Sequence, residues 1–360
     1  MIIHIDTETE WRGGQQQAVY LMEGLIKSGR ESVLICKKGS KLENYAIENN
    51  IPVKTLPLSF EGDIFSAIRI ASYAKQNKAT LIHCHNSHAL SIGLLASLFV
   101  KIPLVASRRV DFPLQDNFFS KLKYNNPKLS ALVCISDNIR RVISKDGIPE
   151  AKICVIRSAI DLNRVNSSDN RHIIKNSLPP HSLLIGTVAA LTGHKDYPNL
   201  IKAASIVLKK HPEVLFMAVG DGKLVQATKH LIANRGISER FILAGHQDNV
   251  YDYIKAFDIF VLASKLEGLG TSVLDALNCG KACVCTDAGG IPEMISNRKN
   301  GILVPKKDPH ALAQALTLVI EDADLRRDLG KNASESVKAF DIAVNVQKHI
   351  ELYDRLINAN

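Results

Sequence analysis

Residues 260–293 read FVLASKLEGLGTSVLDALNCGKACVCTDAGGIPE, and this stretch decides the fold. Phe260 to Ala263 is a short apolar run of the kind a strand buried on both faces carries, and Ala282 to Cys285 is a second. Between them come a polar, glycine-bearing loop, Lys265 to Gly270, and a segment whose apolar residues Val273, Leu274 and Leu277 suit one helical face. Cys279 and Gly280 close that helix. Strand, loop, helix and strand make a βαβ-like unit, which belongs to a parallel sheet. After the Gly289-Gly290 turn, Pro292 and Glu293 predict a further helix with proline in its first position.

Glu267 lies in the loop before the helix, and Asp275 follows eight residues later, about two helical turns on. A carboxylate in the loop can accept hydrogen bonds from sugar hydroxyls, and one on the helix face can grip a ribose. The backbone N–H groups of Gly268, Leu269, Gly270 and Thr271 can hold a diphosphate at the helix start. The plainer alternative makes Glu267 a helix-start acid and Asp275 part of a solvated face. Open α/β sheets bind ligands at the carboxyl ends of their strands, which is where Glu267 falls.

Length and composition bound the answer. A chain of 360 residues suits two α/β domains better than one core, and 46% hydrophobic with 22% charged residues is ordinary for a soluble globular protein. No apolar run reaches the roughly 18 residues of a membrane span. The opening MIIHIDTETEW has acids where a signal peptide would have basic residues. Seven scattered cysteines without a CxxC pair read as small buried hydrophobes in a reducing cytoplasm. The charge is uneven: residues 1–165 hold 22 Lys and Arg against 15 Asp and Glu, most of the chain's net +9. An acidic acceptor or an anionic membrane surface fits that half, and so does plain solvation of its helices.

The run from Ser264 to Gly280, S-x-x-E-G-x-G-x-x-x-L-D-A-x-x-C-G, completed by GGIPE, resembles the signature of the retaining GT-B glycosyltransferases of family 4, glycosyl transferases group 1. The resemblance extends over nearly the whole chain, through Gly13-Gly14, His83-Cys84-His85, Ser136 to Arg140, Val155 to Asp161, Gly186 to Asp196, Gly220 to Gly222 and Gly245 to Val250. Four positions depart from the family pattern. The second acid is Asp275 instead of Glu, Ala190 replaces an arginine that is separated by four residues from the lysine matched by Lys195, Arg108 stands near a usual histidine, and the usual Asn-Gly before Asp161 is missing.

The resemblance implies a GT-B architecture, two Rossmann-like domains facing each other across a cleft. An acceptor domain over 1–165 would be joined by a terminal helix over about 343–360, and a nucleotide-sugar domain would span 182–342. Asn166 to Ser182, polar with two prolines, reads as the linker. In this scheme Glu267 and Lys195 serve catalysis, while Asp275, Gly13, Gly14, Gly220, Gly268, Leu269, Gly270, Thr271, His246 and Val250 bind the donor. His85, Asn86, Arg108 and Arg109 face the acceptor. An arginine pair after a strand suits phosphate or carboxylate, and the plainer alternative is an ion pair of Arg108 with Asp111.

A metal is not expected. His83 and His85 alternate on a strand and share a face only with each other, and no third ligand has fitting spacing. Asp322-Ala323-Asp324 is formally a DxD but falls between helices, so it reads as a helix cap. The expected activity is retaining transfer from a nucleoside-diphosphate sugar to a glycan or lipid-linked acceptor, as in bacterial cell-surface polysaccharide or lipopolysaccharide synthesis. No cofactor and no nucleic-acid partner are expected, and the place of work is the cytoplasm or the inner face of the membrane. Two rivals share the nucleotide half: an epimerase acting on the donor alone, and a non-catalytic nucleotide-sugar sensor.

Overall fold

The computed structural model describes residues 1–114, 118–166, 169–180 and 182–359. The chain divides into two compact units, residues 1–159 with 342–360 and residues 160–341. Residues 160–165 and the described part of the expected linker are therefore counted with the second unit. Ser167, Ser168 and His181 of that linker lie outside the described residues.

The first unit alternates strands and helices in chain order: β1 (Ile2–Ile5), α1 (Gly13–Lys27), β2 (Ser32–Lys37), α2 (Lys41–Glu48), β3 (Val53–Leu56), α3 (Ile64–Gln76), β4 (Leu81–Cys84), α4 (Ser87–Ala96), β5 (Leu104–Arg108), α5 (Phe118–Asn125), β6 (Leu129–Cys134), α6 (Asp137–Lys145) and β7 (Ile153–Val155). Its seven strands form one parallel sheet in the order β3-β2-β1-β4-β5-β6-β7. The order reverses between β1 and β4. The carboxyl ends of the strands at such a reversal are where open α/β sheets bind ligands.

The second unit runs α7 (Arg171–Asn176), β8 (Leu184–Val188), α8 (Tyr197–Lys210), β9 (Leu215–Val219), α9 (Val225–Asn234), β10 (Phe241–Gly245), α10 (Val250–Ala256), β11 (Ile259–Leu262), α11 (Thr271–Asn278), β12 (Ala282–Thr286), β13 (Ile302–Val304), α12 (Pro309–Glu321) and α13 (Ala323–Ser336). Its six parallel strands are ordered β10-β9-β8-β11-β12-β13, with the reversal between β8 and β11. Strand residues such as Ile185, Phe216, Val261 and Val284 are buried with Leu200, Ile201, Leu312 and Leu316 from the helices. That burial on both faces explains why the strands read as unbroken apolar runs.

The last helix, α14 (Ile342–Asn358), belongs to the first unit. It lies on α1 where Gly24 leaves room: a β-carbon there would stand 2.3 Å from Val346 Cγ2. Arg30 adds a two-pronged pair to Asp354, with both contacts 2.8 Å.

Local signals held at several ends. Ser136 caps α6 by accepting from Ile139 N at 3.2 Å, and Asp322 caps α13 by accepting from Leu325 N at 2.8 Å. The helix expected after Pro292 is a correction: only one 3-10 turn forms, Ile291–Glu293. Asn300 explains the stop. Its side chain accepts from Ser296 N at 2.7 Å and donates to Met294 O at 3.0 Å, which spends on a turn the groups a longer helix would pair.

Candidate active site

At the switch point of the second unit, β11 ends at Leu262 and the chain enters the loop that carries Glu267. Ser264 is fully buried and donates to Glu267 Oε1 at 2.7 Å, and Lys195 forms an ion pair with the same oxygen. Lys195 arrives from the neighbouring strand β8 through a 3-10 turn, Gly193–Lys195. A backbone bond from Lys265 N to His194 O, 2.9 Å, ties the two loops together. Both side chains are largely shielded, with 16% of the lysine and 8% of the glutamate exposed. The two residues assigned to catalysis are thus in contact.

The glycines around Glu267 make this geometry possible. Gly270 opens α11 at φ 95°, a left-handed conformation that a residue with a β-carbon rarely adopts. A β-carbon on Gly290 would stand 2.6 Å from Gly268 O, so the Gly289-Gly290 turn packs directly on the Glu267 loop. Leu269 is 1% exposed. Its side chain is core, and only its backbone is left for a ligand. Thr271 is the first residue of α11 and half-buried. Gly220, at φ 142°, lets the turn after β9 approach Ala189, whose oxygen would be 2.2 Å from an added β-carbon.

Asp275 lies on α11, against α10, which Val250 opens and which follows the His246 loop. Tyr251, buried at the start of α10, donates its hydroxyl to Asp275 Oδ1 at 2.6 Å. Arg164 stacks on the Tyr251 ring with its guanidinium carbon 5.3 Å from the ring centre. Burial raises the Asp275 carboxyl to about 6, against the Tyr251 hydrogen bond and the Arg164 charge, which both lower it. His246 is exposed and faces Asp248 at 3.4 Å. Neither Tyr251 nor Arg164 was marked in the sequence, because their link to Asp275 joins segments that only the fold brings together.

In the first unit, the turn after β1 and the segment after β5 meet. A β-carbon on Gly14 would lie 3.5 Å from Arg109 Cδ. The two residues assigned to donor and acceptor are therefore neighbours. Gln15 donates to Asp6 Oδ2 at 3.0 Å and Asn86 donates to Asp6 Oδ1 at 2.9 Å, while Asn86 also caps α4 by accepting from Ala89 N at 2.8 Å. The Asn86 side chain is thereby committed to structure. Arg108 and Arg109 do not act as a pair. Arg108, 6% exposed, lies against the Phe112 and Tyr124 rings and donates to Phe112 O at 2.6 Å, whereas Arg109 donates to His85 Nδ1 at 3.4 Å.

The expectation that no third ligand stands near His83 and His85 is corrected by sheet register. β1 pairs with β4 so that His4 lies opposite His83, and one ring nitrogen from each of His4, His83 and His85 falls within 4.8 Å of the others. All of their ring nitrogens but His4 Nε2 are already engaged. His83 contacts Ser107 Oγ at 2.8 Å and the Tyr353 hydroxyl of α14 at 2.5 Å, and His4 Nδ1 meets His85 Nε2 at 2.9 Å. Burial drives all three imidazoles to their neutral forms, His4 down to about 3, with His349 beside them down to about 4. Arg109 can only donate, so His85 Nδ1 accepts, His85 Nε2 carries the proton toward His4 Nδ1, and the His4 proton rests on Nε2. That nitrogen is buried without a partner among the described residues. Arg109 itself is pulled down to about 10 by burial.

Comparison with known proteins bears on the family and the fold. Residues 11–164 match the family model described as Glycosyltransferase Family 4, and residues 168–336 match the one described as Glycosyl transferases group 1. UDP-Gal:alpha-D-GlcNAc-diphosphoundecaprenol alpha-1,3-galactosyltransferase of Escherichia coli is 25% identical, covering 99% of this chain and 97% of its own. N,N'-diacetylbacillosaminyl-diphospho-undecaprenol alpha-1,3-N-acetylgalactosaminyltransferase of Campylobacter jejuni is 28% identical over 74% of each chain. Among solved structures, Anabaena Alr3699/HepE in complex with UDP superposes with a TM-score of 0.86 at 20% identity, covering 99% of this chain and 100% of its own. At that identity the likeness speaks for the fold.

Proposed function

Because the chain belongs to the glycosyltransferases of group 1 and family 4, whose two models its halves match in turn, we propose that it moves a sugar from a UDP-sugar to a hydroxyl of a lipid-linked diphosphate glycan. A role in bacterial cell-surface polysaccharide synthesis follows from that acceptor class. The observation that carries the reading is the Lys195–Glu267 ion pair at the switch point beside the start of α11.

In this proposal Lys195 leaves Glu267 for the donor diphosphate, which also takes the first N–H groups of α11. Glu267, still held by Ser264, accepts from hydroxyls of the donor sugar. Asp275 accepts from the ribose through the oxygen that Tyr251 does not occupy. Transfer with retention breaks the bond between the anomeric carbon and the diphosphate oxygen and forms the bond to the acceptor oxygen on the same face. The acceptor proton passes to the departing diphosphate. Lys195 and the helix start meet the charge that develops there, so no metal ion is called on.

The lipid tail of such an acceptor requires work at a membrane surface, and peripheral attachment at its inner face is part of the proposal. Among the described residues no helix is long and apolar enough to cross a membrane. The test is to incubate the protein with a panel of UDP-sugars, with and without a polyprenyl-diphosphate-linked amino sugar, and to follow free UDP and the product. UDP release that depends on the acceptor is expected. An altered nucleotide sugar without acceptor would indicate an epimerase, and binding without turnover a sensor. That the relatives named above are both transferases favours transfer.

A further inference from the structure

We propose that the outer face of α3, α4 and α5 in the first unit is a docking surface for an anionic lipid bilayer. This deepens the lipid-linked reading above and rests on it for its purpose, while its evidence is separate.

The three helices lie side by side. α3 packs on α4 and α4 on α5, and Glu61, just before α3, accepts from Ser91 of α4 at 2.8 Å and from Lys123 of α5 at 3.2 Å. The exposed apolar side chains are unevenly spread. Phe65 and Ile68 stand on α3 with Phe60 just before it, Leu98 and Phe99 follow α4, and Leu122 stands on α5. Phe65 is 76% exposed, Phe60 62%, Leu98 60% and Leu122 54%. Every phenylalanine described as exposed lies in residues 60–112, and none is in the second unit. A single exposed apolar residue needs no explanation, but this concentration on adjacent helices does.

Charge selects the occupant. α3, α4 and α5 carry Arg69, Lys75, Lys121 and Lys123 and not one aspartate or glutamate, and Glu61, the exposed acid beside them, is paired with Lys123. Lys78, Lys101 and Lys128 follow in the connecting segments. A protein partner would be expected to meet at least some charge of each sign, whereas aromatic and aliphatic side chains ringed by cations suit phosphate headgroups above an acyl layer. Asn86 caps α4, so the helix begins beside His85, the residue assigned to the acceptor. A polyprenyl chain kept in the bilayer would then present its diphosphate sugar toward the carboxyl end of β4.

The test uses the full chain and vesicles of phosphatidylcholine alone or mixed in equal parts with phosphatidylglycerol. Cosedimentation is expected only with the mixed vesicles and should weaken with salt. Lys121→Gln combined with Arg69→Gln should weaken it about tenfold or more, and Phe65→Ser with Leu122→Ser should weaken it at any salt. Because the apolar pair raises solubility and touches no core, unfolding curves of the variants should match the parent. Neither variant should slow transfer to a short-chain, water-soluble diphosphate acceptor, while both should slow transfer to the long-chain acceptor in vesicles. No binding by the parent, equal binding by parent and variants, or a dimer broken by the same variants in place of vesicle binding would each overturn the surface. Failure of both acceptors with vesicle binding intact would sink the acceptor reading and leave the surface standing.

Discussion

The Tyr251 hydroxyl donates to Asp275 at 2.6 Å, linking α10, the helix after the His246 loop, to α11, the helix after the Glu267 loop. A ribose that donates to Asp275 needs the carboxylate, and burial holds that group at about 6. Donor KM should therefore rise as pH falls through about 6. The Tyr251 bond favours the charged form, so Tyr251→Phe should move the midpoint to higher pH. Asp275→Asn should remove the dependence and should cost deoxyribose nucleotides less affinity than ribose ones. A donor KM that ignores pH in the parent, or an equal loss for both nucleotides, would make Asp275 a structural acid.

The buried imidazoles of His4, His83, His85 and His349 predict acid sensitivity in the first unit. Each has a folded pKa far below 6.5, so it stays neutral while its unfolded counterpart takes a proton. Stability is then present above the unfolded value and lost as pH falls below it. Asp6 works the other way, because burial raises it and the folded chain takes up a proton before the unfolded one does. Each extra imidazole proton on the unfolded side near pH 5 corresponds to about 1.4 kcal/mol per pH unit, and Asp6 offsets part of the sum. Denaturant midpoints of the first unit, followed through Trp11 fluorescence, should fall steeply below pH 6.5, and a flat profile would mean that the imidazoles are charged or solvated.

Gly290→Ala places a methyl group 2.6 Å from Gly268 O and 3.0 Å from Leu269 Cα, both backbone atoms that cannot swing aside. The Glu267 loop must shift, at a cost of roughly 1–3 kcal/mol. Transfer should fall about tenfold or more, with unfolding at lower denaturant. Parent-like stability and rate together would show that the turn does not support the loop.

Much of the arrangement was legible because it is local. The strand, loop and helix around Glu267 follow from apolar runs and from Gly270, and the contact of Lys195 with Glu267 follows once β8 and β11 are neighbours. What stayed hidden depends on nonlocal pairing. His4 joins His83 only through the register of β1 with β4, and Tyr251 reaches Asp275 only through the packing of α10 on α11. Arg108 was read as an acceptor contact from its place where a strand should end, and it is the last residue of β5. Its guanidinium instead lies against Phe112 and Tyr124, aromatic partners that its own loop and α5 supply.

The central claim is that Glu267 handles the donor sugar while Lys195 and the helix start handle the diphosphate. Glu267→Gln keeps the size of the side chain and its bond from Ser264, and removes the charge. The most direct measurement is acceptor-dependent UDP release by parent and Glu267→Gln at saturating donor, with UDP affinity measured alongside. Affinity should be nearly unchanged and turnover lower by more than about tenfold, a loss of about 1.4 kcal/mol in transition-state stabilisation. Unchanged turnover, or a loss confined to UDP affinity, would contradict the claim.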